Sequence, residues 1–248
     1  MDTHTWWTHW RRALVRLGIA AASLTGCEDN PGGGNVLGSG EIFAHDATAL
    51  YRVDLDTGST TKVGSLGSTD IIDLALASDG VLYALTREGW SHVDPSSGSV
   101  SQPFAQPIGA DATGMDVGPD GQLYTAQGND ILRFDPLTGA GEKLIIFPAG
   151  TGATGDAAFL GDRLYVVASN GASSTKTDSI VELSPLQKGA ASKIVGDTGF
   201  ACIRGLVGHE GSLYGFTCEG SVLRIDPSTG QASVVTTPKV GFEGAGGR

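Results

Sequence analysis

Few residue types in this 248-residue chain could do chemistry, and their spacing narrows the choice further. Beyond residue 26 the histidines are His45, His92 and His209, too far apart to form a short metal-ligand motif. No G-x-S-x-G nucleophile elbow, H-E-x-x-H or C-x-x-C occurs there, so the common hydrolase, metalloprotease and redox signatures are absent. No catalytic residue and no metal site is assigned on this basis. What remains is a series of carboxylates, Asp70, Asp73, Asp111, Asp116 and Asp156, one cation, Arg204, and three cysteines, Cys27, Cys202 and Cys218. Carboxylates brought together hold a cation or a polar ligand, and two cysteines brought opposite form a disulfide. Both outcomes depend on the elements that carry them.

Those elements repeat from Gly40 onward. Four segments share a Gly-rich turn, a Leu-Tyr pair, a polar gap, an alternating strand and a closing turn: GVLYALTREGWSHVDPSSG, GQLYTAQGNDILRFDPLTG, RLYVVASNGASSTKTDSIVELSPLQKG and GSLYGFTCEGSVLRIDPSTG. A fifth, GEIFAHDATALYRVDLDTG, aligns with the first of them without a gap. The closing glycines are Gly58, Gly98, Gly139, Gly189 and Gly230, in steps of 40, 41, 50 and 41. A step near forty residues carrying several short strands is the spacing of a β-propeller blade, in which four antiparallel strands form each sheet. In the second repeat, residues 71–77 read as the innermost strand, 81–86 as the second, 90–94 as the third and 99–104 as the outermost. The step of 50 comes from SNGASSTKTDS, which lengthens the loop between the second and third strands of the fourth repeat. Gly and Pro total 48 residues, a turn-rich share that the recurring hairpins explain. Charged residues reach only 17%, which argues against a coiled coil.

The Leu-Tyr and Asp-Pro-x-x-Gly repeats over Gly40 to about Gly230 resemble the bacterial propellers of the NHL, YVTN, gluconolactonase-like and quinoprotein-like group. The resemblance implies the fold and leaves the activity open, because these families bind and catalyse very different things. The expected fold is all-β, a five-bladed propeller over residues 40–248 with four antiparallel strands per blade. Its first blade lacks an innermost strand, so the C-terminal segment GFEGAGGR is expected to supply a short one and shut the ring. A quinone cofactor is disfavoured, since Trp90 is the one tryptophan beyond residue 26.

On this frame the chemistry-bearing residues take positions. Counting nine residues back from each Leu-Tyr pair gives Asp73, Gly114, Gly155 and Arg204, with Asp116 and Asp156 one or two places further on and Asp70 and Asp111 in the loops before. Together they predict a ring of carboxylates and one Arg around the channel mouth, as a site for a cation such as calcium or for a polar ligand. The plain alternative is solvated channel lining. Cys202 and Cys218 lie symmetrically about a turn centred on Glu210, so they are expected opposite each other and disulfide-bonded; two buried free thiols are the alternative. The run Asp54-Leu55-Asp56-Thr57-Gly58 has the look of a calcium loop, but its equivalents read Asp-Pro-x-x-Gly and no bidentate Glu follows, which favours a plain turn. His92 falls in an outward-facing slot held by Arg52, Arg133, Glu182 and Arg224 in the other repeats.

The N-terminus reads as an address. RRALVRLGIAAASLTG, residues 11–26, is a basic stretch followed by a short apolar run, the layout of an export signal and too short to anchor across a bilayer. Leu24-Thr25-Gly26-Cys27 resembles the lipobox of bacterial lipoproteins, which implies cleavage before Cys27 and lipid attachment to its sulfur and amino group. The alternative is an ordinary cleaved signal with a stray cysteine. Residues 27–39 read as a flexible Gly-rich tether. Without residues 1–26 the chain holds 13 Lys and Arg against 26 Asp and Glu, a net of −13, which disfavours nucleic acid as a partner. The expected function is that of an exported, lipid-anchored binding or scaffolding protein of the cell envelope, holding a protein, glycan or small polar ligand. The competing function is a propeller enzyme of the lactonase or lyase type, with channel carboxylates around a divalent metal.

Overall fold

The computed structural model describes residues 40–248 except 68–69, 102–103, 106–107, 110, 148–149, 171–175 and 190–191. The export signal over 1–26, Cys27, the tether over 27–39 and much of the lengthened loop of the fourth repeat lie outside the described residues. The described residues form five four-stranded antiparallel sheets. Blade one contains β1 (Ile42–His45), β2 (Ala49–Val53) and β3 (Thr60–Ser65). Blade two is β4 (Ile71–Leu76), β5 (Leu82–Thr86), β6 (Gly89–Val93) and the short β7 (Phe104–Ala105); blade three is β8 (Ala112–Val117), β9 (Leu123–Gln127), β10 (Asp130–Phe134) and β11 (Gly141–Ile146). Blade four is β12 (Thr151–Leu160), β13 (Arg163–Asn170), β14 (Asp178–Leu183) and β15 (Ser192–Asp197). Blade five is β16 (Ile203–His209), β17 (Ser212–Thr217), β18 (Val222–Ile225) and β19 (Ala232–Thr236).

The last strand, β20 (Gly244–Gly247), joins blade one as its innermost strand. It pairs along the whole of β1, from Ile42 opposite Gly247 to His45 opposite Gly244, so the short C-terminal strand closes the ring as expected. Its glycines permit the approach: a Cβ on Gly246 would lie 2.7 Å from the Leu74 carbonyl oxygen in blade two. Phe242, fully buried and edge-on to Phe216 at 5.3 Å, pins the segment that leads into β20 to blade five.

Period-two alternation makes each blade a two-sided wedge. In β5, Leu82 and Ala84 pack with Phe43, Leu50 and Leu74 in the seam against blade one, while Tyr83 and Leu85 pack with Met115, Leu123 and Phe134 in the seam against blade three. The apolar core is accordingly five separate seams. The closing turns are capped by their own aspartates: Thr57 N–H donates to Asp54 Oδ1 at 2.9 Å and Ser96 N–H to Asp94 Oδ1 at 2.8 Å. Asp135 and Asp226 do the same in blades three and five, so residues 54–58 form a turn of the common type.

Candidate functional site

The innermost strands bring one structurally equivalent position from every blade to the propeller axis. Its occupants in blades one, two, three and five are Gly244, Asp73, Gly114 and Gly205, which pair with His45, Leu85, Ala126 and Phe216 of the second strands, and in blade four it is Asp156, within the bulged stretch that ends at Ala157. Two aspartates therefore alternate with three glycines. The glycines make room for the acids: a Cβ on Gly114 would lie 2.6 Å from Asp156 Oδ1, and one on Gly244 would lie 2.6 Å from Asp73 Oδ1.

Both carboxyls are fully buried, and backbone N–H groups from around the ring converge on them. Met115 N–H donates to Asp73 Oδ2 at 2.7 Å and Ala245 N–H to Asp73 Oδ1 at 3.1 Å. Leu206 N–H donates to Asp156 Oδ2 at 2.6 Å, and Ala157 N–H also donates to Asp156. Leu74 N–H adds a further bond to Asp73, so that all five blades contribute a donor. Burial raises the pKa of both acids, and the charge of the neighbouring Asp73 raises that of Asp156 further. Chemically this is a keystone. The carboxyl pair satisfies N–H groups that a ring of β-strand backbones would otherwise leave unpaired on the axis.

The structure thus distributes the expected ring of acids over different places. Asp73 and Asp156 come together in the plug and do not line an open mouth. Asp116, two residues beyond the Gly114 position, is partly exposed on the face that carries the turns between first and second strands. There it accepts N–H bonds from Phe159 at 2.7 Å and Val117 at 2.7 Å, and burial pushes its pKa up to about 7. Asp116 borders a cavity of about 400 Å³ shared with His209, Glu210 and Arg248. Asp70 and Asp111 are exposed in the loops before β4 and β8. Arg204 is exposed and lies near Asp178, whose carboxylate accepts Ile203 N–H at 2.9 Å and the Thr154 hydroxyl at 3.1 Å. The nine-residue spacing fails in blades four and five because their first hairpins are one residue tighter: Leu164 and Leu213 pair with Phe159 and Gly208, five residues back, where Leu82 and Leu123 pair with Leu76 and Val117, six back, in the wider turns of blades two and three. These shorter turns change the count by one. They place Asp156 and Gly205 at the axis where the count had Gly155 and Arg204.

Cys202 and Cys218 are disulfide-bonded, with Cα atoms 5.6 Å apart. They flank β16 and β17, and Cys218 N–H donates to the Cys202 carbonyl at 2.9 Å. The hairpin turn is two residues, Glu210-Gly211, with His209 opposite Ser212. Its centre lies beyond Glu210, and it is the bulge before Gly205 that brings Cys202 level with Cys218. His92 is exposed, edge-on to Tyr83 at 5.1 Å. His45 is buried beside the axis, and burial lowers its pKa.

The surface also offers a concavity that sequence reasoning missed. A cleft of about 680 Å³ opens at the seam between blades one and two, bordered by Leu66, Asp70, Thr86, Arg87, Glu88 and Ser91. Its floor is set by the residue that precedes the partner of the repeat's aromatic anchor. Tyr83 pairs with His92, Tyr124 with Arg133, Tyr165 with Glu182 and Tyr214 with Arg224, so the equivalent floor positions are Ser91, Leu132, Val181 and Leu223. Leu132, Val181 and Leu223 each pack into the seam against the preceding blade. In blade two a serine stands where these side chains would fill the gap.

Comparison with known proteins adds the fold and no family. No protein-family model matches the chain, and no curated protein matches it. Among solved structures, a nidogen/laminin complex is similar with a TM-score of 0.57 and 15% identity, covering 84% of this chain and 98% of that one. A structure from work on the de novo evolutionary emergence of a symmetrical protein has a TM-score of 0.54 and 17% identity, covering 83% of this chain and 97% of that one. An auxiliary nutrient binding protein from Bacteroides thetaiotaomicron has a TM-score of 0.51 and 12% identity, covering 78% of this chain and 53% of that one.

Proposed function

We propose that this chain is an exported, lipid-anchored binding protein of the bacterial cell envelope, and that its ligand sits in the cleft between blades one and two. The observation that carries the binding role is that cleft, built where blade two carries a serine at the position that leucine or valine fills in blades three, four and five. The basic and apolar stretch ahead of Leu24-Thr25-Gly26-Cys27 supports the anchor, as does the Gly-rich composition of residues 27–39, which suits a flexible link to it. A fold shared with a protein described as nutrient-binding is compatible with this role. The enzyme alternative calls on axial carboxylates for a divalent metal, and it is disfavoured because Asp73 and Asp156 already accept the converging N–H groups. The test is to feed cells an alkyne fatty acid and compare the wild-type chain with Cys27→Ala. The wild-type chain is expected in the membrane fraction carrying the label, and the variant in the soluble fraction without it. Native mass spectrometry of the wild-type chain is expected to show a retained small-molecule adduct. An unlabelled, soluble wild-type chain overturns the anchor, and metal-dependent turnover of a lactone overturns the binding role.

A further inference from the structure

Resting on that binding role, the geometry points to a neutral saccharide as the ligand class of the cleft between blades one and two, with Ser91 as its central recognition group. Ser91 is 2% exposed, it borders the cleft, and its hydroxyl has no hydrogen-bond partner among the described residues. A buried hydroxyl left unpaired is costly, and a ligand that satisfies it recovers that cost on binding. The neighbouring hydroxyls are already committed within the blade. Thr86 Oγ1 donates to the Gly89 carbonyl at 3.1 Å, and Ser101 Oγ accepts from His92 N–H at 3.0 Å. Ser91 is therefore the group set aside for a guest.

The rest of the lining selects the class. Among the described residues the charged lining is two acids, Asp70 and Glu88, and one cation, Arg87, a net negative balance that disfavours phosphates and other anions. The guanidinium in the same lining disfavours a divalent cation. Among the described residues no aromatic ring borders the cleft, since Trp90 points into the opposite seam against Phe134, so none of them stacks a nucleobase or a quinone there. Leu66 and Val100 offer only a small apolar wall, enough for the C–H face of one ring. The volume of about 680 Å³ is that of a small-molecule site. Vicinal hydroxyls both donate and accept, which matches carboxylate acceptors, a guanidinium donor and a serine that can do either.

The other blades supply the test. Ser91→Leu places in blade two the residue that blades three and five carry at Leu132 and Leu223, so it should fold while filling the cleft. The whole chain, in a detergent without a sugar headgroup, would be titrated by calorimetry with a panel of neutral sugars: maltose, cellobiose, lactose, mannobiose and chitobiose. Inorganic phosphate, calcium and a neutral hexapeptide serve as the contrasting arms. At least one sugar is expected to bind, with affinity lowered about tenfold or more by Ser91→Leu, Ser91→Ala and Arg87→Ala alike. The Ser91→Ala variant keeps the cleft open and removes only the hydroxyl, so it answers the question even if the leucine variant misfolds. Binding of phosphate, calcium or the peptide in place of every sugar overturns the saccharide assignment, as does sugar binding that all three variants leave unchanged. If no sugar binds while an adduct persists in native mass spectrometry, the saccharide class falls and the binding role stands.

Discussion

Asp73 and Asp156 show how much an acid's role depends on what surrounds it. Each is fully buried among N–H donors from other blades, and burial raises both pKa values above the ordinary 3.8. An acid whose pKa is raised by folding is more protonated in the native than in the unfolded chain, so it stabilises the fold below the unfolded pKa. That contribution is lost as pH climbs through the folded value. For Asp73 the window runs from about 4 to about 7. Replacing Asp73 by Asn removes the titration and places an amide N–H2 against one of the N–H donors. The variant is expected to lose about 1–3 kcal/mol at pH 5, the cost of an unmade buried hydrogen bond. Its melting temperature should fall less than the wild type's between pH 5 and pH 8, and thermal melts across that range check it. The residues of this pair were legible in the sequence as acids on inner strands. That they plug the axis was not, because the length of each first hairpin, one residue shorter in blades four and five, decides which residue of the inner strand turns to the axis.

The elements were more legible than the contacts between them. Repeats with Leu-Tyr anchors and Gly turns placed every second and third strand, because a hairpin is a local event set by turn chemistry and alternation. In blade two the strands at 71–76, 82–86 and 89–93 sit within a residue of the expected bounds, while the outermost is reduced to Phe104–Ala105 with an isolated bridge from Val93 to Val100. Closure by GFEGAGGR was foreseeable from the missing inner strand; that four residues suffice follows from their pairing with all of β1. Gly246→Val would drive a branched side chain against the Leu74 carbonyl and the Ala75 amide. It is expected to destabilise the chain by more than about 3 kcal/mol and to expose the edge of β1, with a lower melting temperature and a shift to oligomers on size exclusion.

The molecule as a whole carries two pH terms of opposite sign. Asp54, Asp94, Asp135 and Asp226 are held below the ordinary carboxylate value by the Thr57 N–H, the Ser96 hydroxyl, the Thr138 N–H and the Ser228 hydroxyl respectively. Their contribution is present above about 4 and lost as pH falls. The plug acids act the other way, and the acidic surface of a chain with pI near 4.7 adds self-repulsion as pH rises. Stability is therefore expected to peak at mildly acidic pH. High salt should flatten the alkaline decline without abolishing it, since screening reaches the surface charges and leaves the buried pair untouched. Denaturation midpoints at pH 5 and pH 8, in low and high salt, check this, and a decline that vanishes in salt would assign it to the surface alone.

Five repeats of about forty residues, their hairpins and the segment that shuts the ring could be read from the chain, because each rests on local periodicity or on counting; the cysteine pair was read too, though a bulge and not the symmetry of the turn brings it level. The plug of Asp73 and Asp156 and the cleft over Ser91 could not. Both arise where strands distant in sequence meet, and at such meetings one residue more or less in a turn, or one small side chain, decides whether a position is filled, shared or left open.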